Sequence, residues 1–259
     1  MKTQIKCFRI FAVSLFLAFA LVPVNGLSQE ENVAKSILKN MSDYITSHSS
    51  VELTFDSDIE IITPQLEKIQ FTNSGTALLS RPDKLYAHRM SGHADVTLYF
   101  DGKTVSIHEK KINGYVQFDA PGSIDQLIES LRDGDGVALP GGDILLSNVY
   151  EVLIVESLEA KYIGRGFIDG RECEHLAFRN FDTDWQIWVE AGDTPVPCKM
   201  VVTSKTMNSA PQYTLHVKSW NTAVTPKQDF FVFTPPAGAQ ELTHDALIGF
   251  DELPSDTTE

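Results

Sequence analysis

Residues 164–205 constrain the fold more than any other part of this 259-residue chain. Apolar and polar residues alternate in three short runs separated by Asp-Thr-Asp and Ala-Gly-Asp, which predicts three strands joined by tight turns. In the middle run Trp185, Ile187 and Val189 alternate with a second set that includes Trp188. Both faces of that strand are therefore apolar, so one must contact a core and helices or a ligand must cover the other.

The first 26 residues have the three parts of a secretory signal peptide. Three basic side chains precede an apolar run over 10–22, and Val24 and Gly26 are small residues at the positions expected before a cleavage site. A run of about 13 residues is too short for a helix that crosses a bilayer of roughly 30 Å. We therefore expect removal of 1–26 and a periplasmic mature protein, without a lipid anchor because Cys7 precedes the apolar run.

The chain is strongly acidic, with a formal charge of −14 at pH 7. Residues 1–26 hold three basic and no acidic side chains, so the mature protein is three units more negative. Such a surface repels nucleic acid and anionic headgroups, and we expect neither a nucleic-acid partner nor strong electrostatic membrane binding. The same charge favours a monomer. A basic protein partner is the alternative that the charge leaves open.

The remainder predicts a single domain over residues 27–250, followed by a disordered acidic tail, 251–259. A capping box at Ser28 indicates an amphipathic helix that ends near Ser47. Short alternating runs then indicate two antiparallel meanders. The predicted strands are 51–61, 68–80, 84–90, 96–100, 104–109 and 115–119 in the first meander, and 160–168, 172–179, 185–190, 199–205 and 212–220 in the second.

Between the meanders the apolar spacing changes to three or four residues, which predicts helices. Ser123 begins one with Gln126 at the capping-box position. A second, DILLSNVYEVLI from Asp143, is apolar around most of its circumference and must be buried or must cover an apolar surface. The aromatic segment 230–233 is expected to press against the sheet edge.

Ten or more strands exceed what an open sheet holds flat, so the sheet should curl into a half-barrel. The helices should then lie on its concave face, where they cover apolar side chains. The predicted fold class is α+β, mainly antiparallel β.

Two groups of residues resemble known families. The run GTALLSRPDKL at 75–85, followed by DGK at 101–103, resembles the LolA/LolB lipoprotein-carrier fold. The second group comprises GRECEHLAFR at 170–179, DWQIW at 184–188, Pro197 with Lys199, and APQY at 210–213. Together these residues resemble an uncharacterised bacterial family of predicted periplasmic proteins, domain of unknown function 2092. The resemblance covers nearly the whole mature chain and implies a LolA-like half-barrel in the periplasm, without an established activity.

The mature chain has two cysteines, Cys173 and Cys198. Export favours a disulfide between them. The predicted meander places them two strands apart, however, at a separation of roughly 9–10 Å that is too great for a bridge. The family resemblance also implies a basic residue after Pro197, where this chain has Cys198. We expect mostly unbridged thiols, with the disulfide as the alternative.

The sequence contains no pattern typical of a catalytic or metal site. His88, His93 and Asp95 could in principle meet one metal ion, but solvated strand ends explain them better. The chain has neither a Gly-x-Ser-x-Gly elbow nor a glycine-rich phosphate loop. Cys173 and His175 share a strand face, but no acid is placed to orient them. We therefore expect no enzyme, no cofactor and no metal.

The leading hypothesis is a soluble carrier or sensor of an apolar ligand: an acyl chain, a lipid or a lipidated protein. The alternative is a non-enzymatic interaction module with a filled core that docks a protein partner. If the concave face is hollow, large apolar side chains should contact the ligand. They are Phe55, Phe71, Leu85, Leu98, Ile187 and Leu215 on the sheet, with Leu127, Leu131 and Leu145 on the helices.

Two arginines lie in strand context among apolar neighbours, Arg89 and Arg179. A guanidinium there could hold a helical lid or meet a ligand headgroup. The alternative is an arginine at a strand end that reaches solvent.

Overall fold

The computed structural model describes residues 25–134, 137, 139 and 141–250. Helical segments lie before, between and after two groups of strands. The helices are α1 (Asn25–Thr46), α2 (Ile124–Glu129) and α3 (Val149–Ile154), with a π-helical turn at Ser130–Gly134 and 3-10 helices at Gly142–Leu145, Gln228–Phe231 and His244–Phe250. The strands are β1 (Ser50–Ile62), β2 (Lys68–Ser80), β3 (Lys84–Ser91), β4 (Asp95–Phe100), β5 (Thr104–Glu109), β6 (Gly114–Asp119), β7 (Glu159–Ile168), β8 (Arg171–Arg179), β9 (Thr183–Glu190), β10 (Pro197–Ser204), β11 (Gln212–Asn221) and β12 (Gln240–Glu241).

The twelve strands of the described chain form one open sheet in the order β12-β6-β5-β4-β3-β2-β1-β11-β10-β9-β8-β7. The meanders β1–β6 and β7–β11 join where β1 pairs with β11. Neighbouring strands are antiparallel, except that β12 runs parallel to β6. Twist accumulates over so many strands and curls the sheet. The predicted fold class, α+β with a curved, mainly antiparallel half-barrel sheet, is confirmed.

Helix α1 covers one half of the concave face, where it packs on β7, β8 and β9. Its buried stripe is Ala34, Leu38, Met41 and Ile45, each 0% exposed. Their spacing of three or four residues places them on one side of the helix. Helix α1 begins at Asn25, three residues before its predicted start at Ser28.

Short helical segments cover the other half of the concave face. The predicted capping box of α2 is present. The Ser123 hydroxyl accepts a hydrogen bond from the Gln126 backbone N–H, and the Gln126 side chain accepts one from the Ser123 N–H. These two bonds satisfy backbone donors that the first turn of a helix leaves without an intrahelical partner.

The single helix predicted from Asp143 is wrong, because the chain forms a 3-10 helix and then α3 with a turn between them. Ser147 lies in this turn, and its backbone N–H and hydroxyl both donate to the Asp125 carboxylate at the start of α2. A serine that bonds outside the helix competes with helical hydrogen bonding. The segment therefore folds around α2 instead of continuing straight.

The aromatic segment 230–233 crosses the convex face of the sheet, so its predicted position at the edge is wrong. The Phe233 ring contacts three rings on neighbouring strands, those of Tyr99, His108 and Tyr115. A row of aromatic side chains offers more apolar contact area than the backbone of an edge strand. Strand β12 takes the edge position beside β6 instead.

The predicted separation of the two thiols is also wrong. A bulge interrupts the pairing of β10 with β9 between Pro197 and Lys199, and Cys198 is the extra residue. A bulged residue leaves the regular register, so its side chain need not follow the spacing of the strands. Both cysteines are free thiols in this structure, but their sulfur atoms lie only 3.0 Å apart, and both side chains are completely buried.

Residues 1–24 and 251–259 lie outside the described residues. The signal peptide, the acidic tail and the single-domain boundaries therefore stay predictions. None of the described helices is long and apolar enough to cross a membrane.

The capping box yields a stability prediction. Ser123→Ala should lower the free energy of unfolding by about 1 kcal/mol, because it removes the acceptor for a backbone N–H in the first turn of α2. For a protein of this size that corresponds to a Tm lower by roughly 2–4 °C in a thermal melt. Ser130→Ala, at the exposed opposite end of α2, is the matched control and should leave the Tm unchanged. Equal Tm values for the two variants would contradict the role given to Ser123.

Candidate functional site: an apolar cavity on the concave face

A cavity of ≈ 220 Å³ lies between the concave face of the sheet and the short segments that cover it. Its floor comes from β1–β5 and β11, through Leu53, Phe55, Ala77, Ala87, His88, Arg89, Val96, Leu98, Ile107, Tyr213 and Leu215. Its cover comes from the helical segment between β6 and β7, called the insertion, and from the C-terminal 3-10 helix. The lining residues of the cover are Leu131, Val137, Leu139, Gly141, Gly142, Ile144, Leu145, Leu247 and Phe250. Most of these side chains are apolar, so the space suits a hydrocarbon better than water.

Small side chains in the floor leave the space open. Leu53, Ala77, Ala87 and Leu98 are register partners on four neighbouring strands. The two alanines in the middle of this row carry only a methyl group each. The side chains of the floor therefore extend least far into the cavity between the two leucines. Protein interiors are otherwise packed to the density of organic crystals, and a void of this size is unusual in a filled core.

The next row of the floor depends on a glycine. Phe55, Gly75, Arg89 and Val96 are register partners on β1 to β4. A Cβ atom on Gly75 would lie 2.6 Å from the backbone oxygen of His88 and would collide with the ring of Phe55. The absence of a side chain at Gly75 therefore lets the Phe55 ring lie across β2, where it forms one wall of the cavity.

Arg89 brings a positive charge to the cavity. Its Nη2 atom donates to the backbone oxygen of Phe250 at 2.8 Å. Phe250 and Leu247, on the C-terminal 3-10 helix, are 7% and 4% exposed and belong to the hydrophobic core. The arginine thus holds this helix over the cavity, and the contact is of the lid type that the sequence led us to consider for Arg89.

The insertion is fixed to the sheet at the opposite side of the cavity. Arg81 Nη1, at the end of β2, donates to the Leu145 backbone oxygen at 2.8 Å, and burial lowers the pKa of this guanidinium. Gly141 has φ of +77°, a left-handed conformation that favours glycine, and a Cβ there would lie 3.0 Å from Leu215 Cδ2. The insertion backbone can therefore approach the floor closely at this point.

Six of the predicted site residues line this one cavity: Phe55, Arg89, Leu98, Leu131, Leu145 and Leu215. Leu85, Leu127 and Ile187 do not line it. They are 4%, 3% and 0% exposed in the packed core, where neighbouring side chains surround them. The burial expected for a large apolar side chain therefore does not distinguish a residue that lines the cavity from one in the filled core.

Two further predicted residues lie away from the cavity. Phe71 is near the start of β2, where its ring contacts His93 edge-on at 5.6 Å between centroids. Arg179 is half exposed and forms ion pairs with Glu159 at 3.2 Å and Asp184 at 3.7 Å. This position fits the alternative, an arginine at a strand end that reaches solvent, and the lid or headgroup role of Arg179 stays a prediction.

The sequence reasoning also missed residues of the cavity. Ala77 and Ala87 were not predicted, because the prediction was limited to large apolar side chains, whereas the small size of these two creates the space. Leu247 and Phe250 were missed because a short 3-10 helix has no apolar periodicity to reveal it. Among the described residues, no three His, Cys, Asp or Glu side chains come together as a metal ion would require.

The sheet is thus an open, curved half-barrel with helices and an apolar cavity on its concave face. The chain belongs to the family described as predicted periplasmic protein (DUF2092), whose model matches residues 34–243. The resemblance to this family is thus confirmed.

Individual relatives are distant. An uncharacterised protein of Methanocaldococcus jannaschii is 24% identical over 260 residues, which are 97% of this chain and 66% of the relative. Among solved structures, MucB is 16% identical with a TM-score of 0.46, over 81% of this chain and 65% of MucB. LprF from Mycobacterium bovis is 11% identical with a TM-score of 0.44, over 76% of this chain and 97% of LprF. A LolA superfamily protein from Nitrosomonas europaea is 11% identical with a TM-score of 0.37, over 77% and 97%. The chain thus spans about two thirds of the archaeal relative and of MucB.

The close approach at Gly75 yields a second prediction. Gly75→Ala should lower the free energy of unfolding by about 1–3 kcal/mol, because the new methyl group must displace the Phe55 ring or the backbone of β3. Gly92→Ala is the matched control, since a Cβ there meets no atom within 4 Å. Urea denaturation of both variants measures the difference. A Gly75→Ala protein as stable as the Gly92→Ala protein would contradict the account of this wall.

Proposed function

We propose that this protein is a non-enzymatic carrier or sensor that binds an apolar ligand in the cavity on its concave face. The ligand class is an acyl chain, free or as part of a lipid or lipidated protein. The single observation that supports this most is a largely apolar cavity of ≈ 220 Å³ in an otherwise packed core. The description of the family as predicted periplasmic supports a site of action in the periplasm.

The volume indicates how much of a chain would fit. A cavity of about 150 Å³ holds benzene, with six carbons, so ≈ 220 Å³ corresponds to a chain of about nine carbons. Burial of nine methylenes at about 0.8 kcal/mol each contributes about 7 kcal/mol, which limits the Kd to about 10 μM. A C14–C18 chain would require the C-terminal 3-10 helix to withdraw, and each further buried methylene would then strengthen binding.

Arg89 is suited to an acidic headgroup. Its guanidinium lines the cavity and donates to the Phe250 backbone oxygen, a neutral acceptor. A carboxylate or phosphate in place of that oxygen would form a stronger, charge-assisted bond. In this proposal the headgroup replaces the C-terminal helix as the partner of Arg89, which couples ligand binding to opening of the cover.

A protein-interaction module is the second candidate, and a patch of exposed apolar side chains favours it. Val155, Leu158 and Phe181 are 76%, 65% and 84% exposed on two loops at one end of the sheet. The Leu158 N–H donates to the Arg179 oxygen at 2.8 Å, which brings the two loops together. Adjacent exposed apolar residues are typical of contact surfaces. This patch lies outside the cavity, so a ligand and a partner could be bound by different surfaces.

A pair of matched tryptophan variants tests the cavity. Leu131→Trp should fill empty space and weaken binding of dansyl-undecanoic acid at least tenfold, with the Tm nearly unchanged, because Leu131 lines the cavity. Leu127→Trp, four residues earlier in the packed core, should instead overfill the interior. Overpacking typically costs about 1–3 kcal/mol, so its Tm should fall by roughly several degrees.

Fluorescence titration and thermal melts of both variants and the wild type measure these effects. Decanoic acid should compete with the probe, and its methyl ester should compete less well if Arg89 binds the headgroup. Loss of stability in Leu131→Trp, together with no probe binding in the wild type, would contradict the carrier. The interaction module would then be the remaining proposal, and Phe181→Ser would be the variant that tests it.

A further inference from the structure

The thiols of Cys173 and Cys198 meet at the end of a strand. Cys173 on β8 is paired with Glu190, the last residue of β9. On the other side of β9, Pro197 pairs with Val189 and Lys199 with Trp188, so Cys198 between them is the bulged residue. The two cysteines thus lie on either side of the point where β9 ends. Their sulfur atoms are 3.0 Å apart, with neither side chain exposed.

The surrounding contacts hold the backbone at this junction. Arg171, two residues before Cys173, bonds the Glu190 carboxylate at 3.3 Å and donates to the Val217 backbone oxygen of β11 at 2.7 Å. The guanidinium therefore links β8 to β9 and β11 around the bulge. A disulfide requires the sulfur atoms to approach by about 1 Å, to roughly 2.05 Å. A movement of that size is within reach of side-chain rotation.

We propose that Cys173 and Cys198 form a structural disulfide in the exported protein. The oxidant is a disulfide of the thiol–disulfide oxidoreductase class, and its presence is the one part that rests on the proposed periplasmic location. The Cys173 thiolate attacks that disulfide, which gives a mixed disulfide and releases one thiolate. Cys198 then attacks the Cys173 sulfur and releases the second. Two electrons pass to the oxidant, and the two cysteine protons end on its thiols.

The timing follows from the burial of the pair. Burial raises the pKa of both thiols, so in the folded protein they are protonated and weakly nucleophilic. Because neither side chain is exposed, an oxidant cannot reach the thiols once β8–β10 have closed, so the exchange takes place before that point. The same burial shields the finished bond from reducing thiols, which is typical of structural rather than regulatory disulfides. The bond closes a loop across 25 positions and so restricts the unfolded chain.

Alkylation and intact mass measure the state of the pair. Protein purified from its own envelope is unfolded in guanidinium with N-ethylmaleimide and no reductant. We expect no label on Cys173 or Cys198 and a mass lower by about 2 Da than the dithiol form. After reduction both should label. A retained signal peptide would add one label at Cys7 and leave the result for the pair unchanged, so failure of export and failure of the disulfide are distinguishable.

A second sample makes the test independent of location. Reduced protein is refolded with oxidised glutathione and then labelled in the same way. The oxidised form should have a Tm higher than the reduced form by roughly 5–15 °C. Cys173→Ser and Cys198→Ser should each have a Tm no higher than that of the reduced wild type, and oxidised glutathione should not raise it. Two labels without reductant in both samples would overturn the proposal, and so would equal Tm values for the oxidised and reduced forms.

Discussion

The structure depends on how the concave face of one large sheet is covered. Twelve mainly antiparallel strands curl, and the apolar face inside the curve must be shielded from water. One 22-residue helix, α1, shields the β7–β9 half with a completely buried stripe of side chains. The β1–β5 half receives only short segments from the insertion and the C-terminus. The cavity lies under the short segments, where cover is thinnest.

This arrangement explains why the same fold gives a packed half and a hollow half. A long amphipathic helix offers a continuous stripe of side chains that can fill the curve. Two short 3-10 helices are hydrogen-bonded to the sheet side, Gly142–Leu145 by Arg81 and His244–Phe250 by Arg89. Movement of the C-terminal 3-10 helix would expose two buried side chains, Leu247 and Phe250, whereas movement of α1 would expose its whole buried stripe of four. Ligand entry is therefore expected on the Arg89 side.

The sequence specified the local features well and the long-range ones poorly. Strands β2 and β5 match their predicted bounds, and the Ser123 capping box is present, because alternation and capping depend on neighbouring residues. The turn at Ser147 was missed because its partner, Asp125, is 22 residues away. The bulge at Cys198 was missed for a similar reason, since a register shift belongs to a pair of strands and not to one.

The candidate site shows the same division. Strand alternation places Phe55, Leu98 and Leu215 on the concave face, and all three line the cavity. Alternation could not distinguish them from Ile187, which is on the same face but lies under α1. That distinction depends on where the cover is thick, which is a property of the assembled fold. The alanines that open the floor carry no sequence signal of their own.

Native mass spectrometry of the protein, purified gently from its own cell envelope, tests the central claim most directly. The account predicts a species heavier than the mature chain by the mass of an acyl-containing molecule, which is released when the protein is denatured. Leu131→Trp purified in the same way should lack this species, while Leu127→Trp that remains folded should retain it. A wild type that carries no bound molecule and takes up none from added medium-chain fatty acid would contradict the account.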